Sequence, residues 1–233
     1  VSVYLSGLKT ALYLLFTGDP QVWQITLLTL KVSGLATAIA VLIGLPAGFA
    51  LAMSQFPGRN ALVSLVNFGM GLPPVVVGLF VWLLLARYGP LGMLGLLYTP
   101  TAMIIAQSII AAPIVMGYAT AAFQQLNPAL RLQLLALGAG RWQLMLLLAR
   151  EARLGLLAAV MAGFGGVVSE VGASMMVGGN IAGQTRVLTT ATVLEVSKGQ
   201  YEMAMAFSII LLLFSLTVTA LLTQAQQARR QIL

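Results

Sequence analysis

Long apolar runs separated by short polar turns dominate the chain. Between residues 22 and 53 only Lys31 is charged, and the Asp19-Pro20 pair ahead of that run is a helix start, with an aspartate N-cap and proline at the first helical position. The turn Gln55-Phe56-Pro57-Gly58-Arg59-Asn60 interrupts the pattern, and 61–86 is apolar again until Arg87-Tyr88-Gly89-Pro90. Three more runs follow at 99–123, 154–177 and 203–223. Each of the five is long enough to cross a hydrocarbon layer of roughly 30 Å, which takes about 20 helical residues. The pattern therefore predicts an all-α, polytopic membrane protein with about five transmembrane helices in one domain over 1–233, and 1–16 as a shorter amphipathic or peripheral helix. Pro73-Pro74 falls inside the second run. A proline pair at that depth frees backbone carbonyls, which neighbouring helices or a water-filled cavity must satisfy.

Composition agrees with this pattern. Of 233 residues, 60% are hydrophobic and 7% charged, against about 25% charged in a soluble domain. There is no cysteine and no histidine, which removes disulfides, thiol nucleophiles and the usual zinc ligands. The net charge of +7 comes from basic residues scattered singly, so nucleic acid is not an expected partner and membrane lipid is. Those charges read as orientation signals. Placing 55–60, 124–153 and the C-terminus on one side collects Arg59, Arg131, Arg141, Arg150, Arg153, Arg229 and Arg230, which marks that side as cytoplasmic. Lys9, Lys31, Arg87, Arg186 and Lys198 fall on the other side, partly offset by Asp19, Glu195 and Glu202. The expected N-terminus is outside and the C-terminus cytoplasmic. The N-terminal stretch has neither a basic n-region nor a small-residue cleavage site, so no secretory signal peptide is expected.

Within the 124–153 loop, Asn127-Pro128 starts a helix and Gly138 can end it in a left-handed conformation, leaving a short helix, a glycine turn and a second helix returning to the membrane. This segment resembles the EAA loop of ABC importer permeases, in which a coupling helix sits in a groove of the ATPase subunit. Gly138, Ala139, Arg141 and Trp142 match the core of that motif. Leu132-Gln133-Leu134 stands where the family has Glu-Ala-Ala, and Arg150-Glu151 replaces its later Leu-Pro. The resemblance implies that Leu134, Gly138, Ala139, Arg141 and Trp142 couple the chain to an ATPase. Read without it, the segment is a helical hairpin held at the lipid surface by Arg and Trp.

A second motif runs Ser169-Glu170-Val171-Gly172-Ala173-Ser174-Met175-Met176-Val177-Gly178-Gly179-Asn180-Ile181, then Thr185-Arg186-Val187-Leu188-Thr189-Thr190. It resembles the corresponding stretch of oxyanion permeases of molybdate, sulfate and especially tungstate importers. The implied architecture is a type I ABC importer permease (MetI-like) helical bundle carrying a cytoplasmic coupling helix. Ser169, Glu170, Ser174, Asn180, Thr185, Arg186, Thr189 and Thr190 become the candidate translocation pathway or gate. Hydroxyls of this kind offer weak, sequential contacts suited to passage, while the interleaved glycines also serve plain helix packing. Glu170 would repel an anion. Two roles stay open for it: a structural one, paired with Arg186, Lys198 or buried backbone donors, and gating. For Arg186, attraction of an anion from outside and anchoring at the membrane interface both remain open.

Residues 178–185 fall one position short of a phosphate-binding P-loop, because Gln184 replaces the lysine that must reach the phosphates. No cofactor is expected on this chain, and the resemblance assigns ATP and Mg to a partner subunit. An intramembrane enzyme is disfavoured, since Glu170 is the only carboxylate well inside a run. A secondary transporter is the other rival; no internal repeat supports it and it leaves the Gly138 loop unexplained. Five spans are few for a pathway. We therefore expect a homodimer, and the resemblance implies two ATP-binding ABC subunits and a periplasmic or lipid-anchored substrate-binding protein, in a prokaryotic inner membrane, working by alternating access on tungstate, with molybdate, sulfate or phosphate as alternatives.

Overall fold

The computed structural model describes residues 2–227. Eleven α-helices and a short 3-10 turn at Gly92–Leu94 account for the regular structure, with no strand among the described residues. In chain order the helices are α1 Ser2–Thr17, α2 Pro20–Met53, α3 Arg59–Met70, α4 Pro74–Leu85, α5 Pro100–Gln124, α6 Pro128–Ala136, α7 Arg141–Glu151, α8 Arg153–Val168, α9 Gly172–Gly178, α10 Leu188–Ser197 and α11 Tyr201–Gln227.

The bundle is built around α2 and α5. Asp19 caps α2 as its sequence implies: its carboxylate Oδ1 accepts from the N–H groups of Gln21 and Val22 at 2.9 and 3.0 Å, with Pro20 in the first turn. Small residues let the two long helices touch. A methyl group at Gly48 would lie 2.8 Å from Ala119 Cβ and 2.9 Å from the Met116 carbonyl, so the contact is made of backbone and little else. Helix α8 joins them through a cluster of Ala36, Ala40, Ala111, Val115, Ala159 and Val167. A second cluster packs α4 and α9 on α5 around Met103, Val77 and Val177. A third joins α1, α2, α10 and α11 through Ala11, Ile25, Leu188 and Phe207. The N-terminal helix is thus packed into the bundle through Ala11.

Three of the five apolar runs are single helices long enough to span a membrane, namely α2, α5 and α11. The other two are broken: α3 and α4 meet at 100°, and α8 and α9 at 58°. Over 61–86 and 154–177, each expected as one span, the chain turns part-way along. At the first break the cause is Pro73-Pro74. Neither proline has an N–H, and each disfavours helical backbone in the residue before it, so Pro73 is extended (ψ 120°) and Pro74 opens the next helix. The Pro73 carbonyl accepts from Val76 and Val77, which keeps the break satisfied. Leucines on the outer surface, such as Leu42 and Leu212, stand bare. Hydrocarbon solvates such a surface and water does not.

The two ends of the bundle are distinct. Arg59 Nε donates to the Leu51 carbonyl and Gln226 Nε2 to that of Leu154, which gathers the ends of α2, α8 and α11 at the α6–α7 end. At the far end, Gln24 Nε2 donates to the Gly183 carbonyl and the Tyr98 N–H to that of Val177. Arg229 and Arg230, used above for orientation, lie outside the described residues.

Candidate coupling surface and translocation segment

At the near end, Asn127 Oδ1 accepts from the Ala129 N–H (2.9 Å), and Pro128 occupies the first turn of α6. The helix stops at Gly138, whose φ is +82°. The Gly138 N–H donates to the Leu135 carbonyl and the Ala139 N–H to that of Leu134, the paired bonds of a Schellman ending. Gln143 Oε1 then accepts from the Gly140 N–H at 2.9 Å and sets the start of α7. Leu144 and Leu148 of α7 are buried with Phe123, Ala119 and Leu156, and Leu130 and Leu134 of α6 lean on the same cluster. Phe123 is held edge-on by Phe49, with centroids 5.1 Å apart. The hairpin is therefore welded to the end of α5.

Its other side is bare. Leu137 is 83% exposed and Trp142 75%. Beside them, Leu134, Gly138, Ala139, Leu146 and Arg150 line a cavity of about 430 Å³. Apolar side chains concentrated at a polar, arginine-bearing end suit a contact with a protein or with the membrane surface. The structure brings Leu134, Gly138, Ala139, Arg141 and Trp142 together on this hairpin, with Leu134 turned partly inward. Leu137 and Leu146 escaped the sequence reading; a leucine immediately before a helix-ending glycine was the available clue.

At the other end, α8 breaks at Ser169-Glu170-Val171, and Glu170 holds the break. Its carboxylate Oε1 accepts from the Ala173 N–H at 2.7 Å, capping α9, and its carbonyl accepts from Thr189 Oγ1 at 3.1 Å. Of the partners considered for Glu170, the backbone donor is the one present: Lys198 pairs with Glu195 at 2.8 Å and Arg186 bonds to Asn180. The glycines of α9 allow close packing. A methyl at Gly172 would lie 2.6 Å from Val75 Cγ2, and one at Gly178 would lie 2.8 Å from Met103 Sδ.

The hydroxyls of this segment are largely spent internally. Ser169 Oγ donates to the Gly165 carbonyl. Ser174 Oγ accepts from Gln107 Nε2 at 2.8 Å. Thr185 Oγ1 donates to the Gly178 carbonyl at 2.6 Å and accepts from the Ile181 N–H at 2.9 Å, closing the 178–185 loop on itself. Thr190 Oγ1 donates to the Val187 carbonyl and accepts from the Val187 N–H, which starts α10. Thr29 Oγ1 of α2 accepts from the Leu188 N–H at 2.9 Å and pins α10 to the bundle. Asn180 has φ +51° and donates Nδ2 to the Thr190 carbonyl. Two contributors went unnoticed in the sequence, Thr29 and Gln107. Gln107 is the one amide in the 99–123 run, and its isolation there was the usable signal.

Residues 22–231 match the family described as the binding-protein-dependent transport system inner membrane component. The chain belongs to this family. Among its relatives, the tungstate uptake system permease protein TupB of Peptoclostridium acidaminophilum is 39% identical over 95% of this chain and 97% of its own length. A probable anion ABC transporter permease protein of Haloferax volcanii is 42% identical over 85% of this chain and 88% of its own. The molybdenum transport system permease protein ModB of Escherichia coli is 28% identical over 91% and 97%. The fold matches a chain of the MetNI methionine ABC transporter solved in inward-facing conformations, with a TM-score of 0.72 at 20% identity, covering 90% of this chain and 98% of that one. The predicted MetI-like helical bundle is therefore the observed fold, and the chain is an inner-membrane transport component.

Proposed function

We propose that this chain is the non-catalytic, membrane-spanning subunit of an ATP-driven importer for a tetrahedral oxyanion, with tungstate as cargo. The observation that carries the reading is the 39% identity to a tungstate uptake permease over nearly the whole of both chains. Two copies form the pathway across a two-fold axis. Each offers the exposed face of α6–α7, with Leu137, Arg141 and Trp142, to one of two ATP-binding subunits that carry ATP and Mg. That end is cytoplasmic, in keeping with Arg131, Arg141, Arg150 and Arg153 there; the N-terminus is outside and the C-terminus inside. A binding protein delivers the anion at the far end, and the nucleotide cycle rocks the bundle between inward-open and outward-open states. The 28% identity to a molybdenum permease supports molybdate as the second cargo to test.

The test is reconstitution with the cognate ATPase and binding protein in vesicles. Expected are co-purification, ATP hydrolysis stimulated by the loaded binding protein, and tungstate uptake in preference to molybdate, sulfate and phosphate. No association with the ATPase, together with no ATP-dependent uptake of any of the four anions, would sink the reading.

A further inference from the structure

In the segment from Ser169 to Thr190 most polar side chains are committed within the chain, and Arg186 is the charged donor with N–H groups to spare. The residue is partly buried. Nε donates to Asn180 Oδ1 at 3.3 Å and Nη2 to the Asn180 carbonyl at 3.2 Å. Five N–H groups are available on a guanidinium, and these are the bonds it makes among the described residues. The remaining Nη1 and Nη2 hydrogens form a fork whose geometry matches two oxygens of an oxyanion.

The way it is held carries the argument. An arginine that merely anchors a helix at an interface lets its head wander toward water on a flexible stem. Here one residue grips it through both main chain and side chain, and that residue is itself fixed: Asn180 follows Gly179 in a second successive left-handed conformation (φ +71° and +51°), and its Nδ2 is tied to the Thr190 carbonyl. The grip is also neutral. A carboxylate would orient the guanidinium and cancel its charge, whereas an amide orients it and leaves the charge unspent. The one ion pair among the described residues, Lys198 with Glu195, does not involve it. Arg186 lies at the far end, on the loop that Gln24 secures at Gly183. A single partly solvated cation gives a contact weak enough to release its anion.

We propose that Arg186 is the oxyanion contact at the far mouth of the permease, with Asn180 as the residue that positions it. This rests on the oxyanion reading above. The experiment separates the two: if the unaltered assembly takes up no oxyanion, that reading fails, while the following outcomes concern Arg186 alone. Because the chain has no cysteine, Arg186→Cys introduces its one thiol, and unaltered permease treated in parallel controls for partner thiols. At limiting tungstate, uptake by Arg186→Cys is expected to fall about tenfold or more. Reaction with 2-aminoethyl methanethiosulfonate, which installs a cation, should restore it to within about threefold of the unaltered chain, and the 2-sulfonatoethyl reagent, which installs an anion, should not. Uptake within about twofold of the unaltered chain, or equal behaviour of the two adducts, would overturn the proposal. Asn180→Gly tolerates the left-handed backbone, keeps the carbonyl that accepts from Nη2, and removes the side chain that holds Nε and ties to Thr190. It should lower uptake at limiting tungstate about threefold with little change in maximal rate; an unchanged concentration dependence would remove Asn180 from the proposal.

Discussion

At the α6–α7 end, Leu137 and Trp142 present apolar surface left largely uncovered by the described residues. At the far end, Thr185, Thr190 and Ser174 are at most 1% exposed and each is hydrogen-bonded internally. On the function proposed above, the hairpin's exposed face contributes little within the subunit and gains free energy in a complex. The α8–α10 segment spends its polar groups on holding irregular backbone where few waters can reach it, because an unpaired N–H or C=O there costs far more than at the hairpin. Substitutions of the exposed hairpin side chains and of the buried far-end hydroxyls should therefore separate, the first acting on assembly and the second on folding.

The largest effect is expected at Thr185. Valine has nearly the same shape and cannot make either bond, so Thr185→Val strands the buried Gly178 carbonyl and removes the partner of the part-buried Ile181 N–H. Each stranded group costs about 1–3 kcal/mol, and the pair about 2–4 kcal/mol. The unfolding midpoint of the detergent-solubilised chain measures this, with Thr185→Ser, which keeps the hydroxyl, close to the unaltered protein. If Thr185→Val matched Thr185→Ser, the far end would not depend on its internal bonding, and the contrast between the ends would break.

Trp142→Ala tests the opposite end. With its side chain mostly exposed, the change should leave stability within about 0.5 kcal/mol. Loss of a large aromatic anchor from an interface typically costs about 2 kcal/mol, so affinity for the ATPase subunit should drop about 30-fold. Titration of the ATPase against permease in nanodiscs reads that number. A fall in stability with unchanged affinity would assign Trp142 to the bundle or the lipid surface.

Gly138 sharpens the comparison, because its constraint is conformational. A methyl group there meets nothing within 4 Å, yet φ is +82°. Gly138→Ala should cost about 1 kcal/mol, and Gly138→Asn less, since asparagine enters the left-handed region more readily. Equal losses for both, measured by thermal unfolding, would mean that bulk and not backbone conformation limits this turn.

The helical fold and the hairpin were legible because each rests on local rules. Apolar runs of spanning length, Asp19-Pro20 and Asn127-Pro128 as starts and Gly138 as a stop act within a few residues of themselves. The break at Pro73-Pro74 was visible as a chemical oddity, but its 100° angle depends on what α4 packs against. The bonding of the candidate pathway was not legible. Thr29 reaches Leu188 and Gln24 reaches Gly183 across 159 positions each, and no local pattern distinguishes those residues from other polar groups on α2. Glu170 shows the same limit: its charge left Arg186, Lys198 and buried backbone donors all open, and only the tertiary structure selects the Ala173 N–H three residues on.

Gln107 gives the smallest expected change in stability and the finest probe of the contrast. It is 3% exposed; Nε2 serves Ser174, but Oε1 has no partner among the described residues. It is the exception to the rule of internal satisfaction at the far end. Gln107→Leu removes the stranded acceptor, and it also removes the donated bond and with it the partner of the buried Ser174 hydroxyl, opposing terms of about 1 kcal/mol each. The net change in stability should therefore lie within about 0.5 kcal/mol, whereas Ser174→Ala strands the amide nitrogen as well and should cost about 1–2 kcal/mol. If Gln107→Leu unfolds as readily as Ser174→Ala, the amide is an ordinary structural link between α5 and α9. If its stability holds while oxyanion uptake falls, the unsatisfied oxygen marks an α5–α9 contact that finds its missing partner only in another state of the transport cycle.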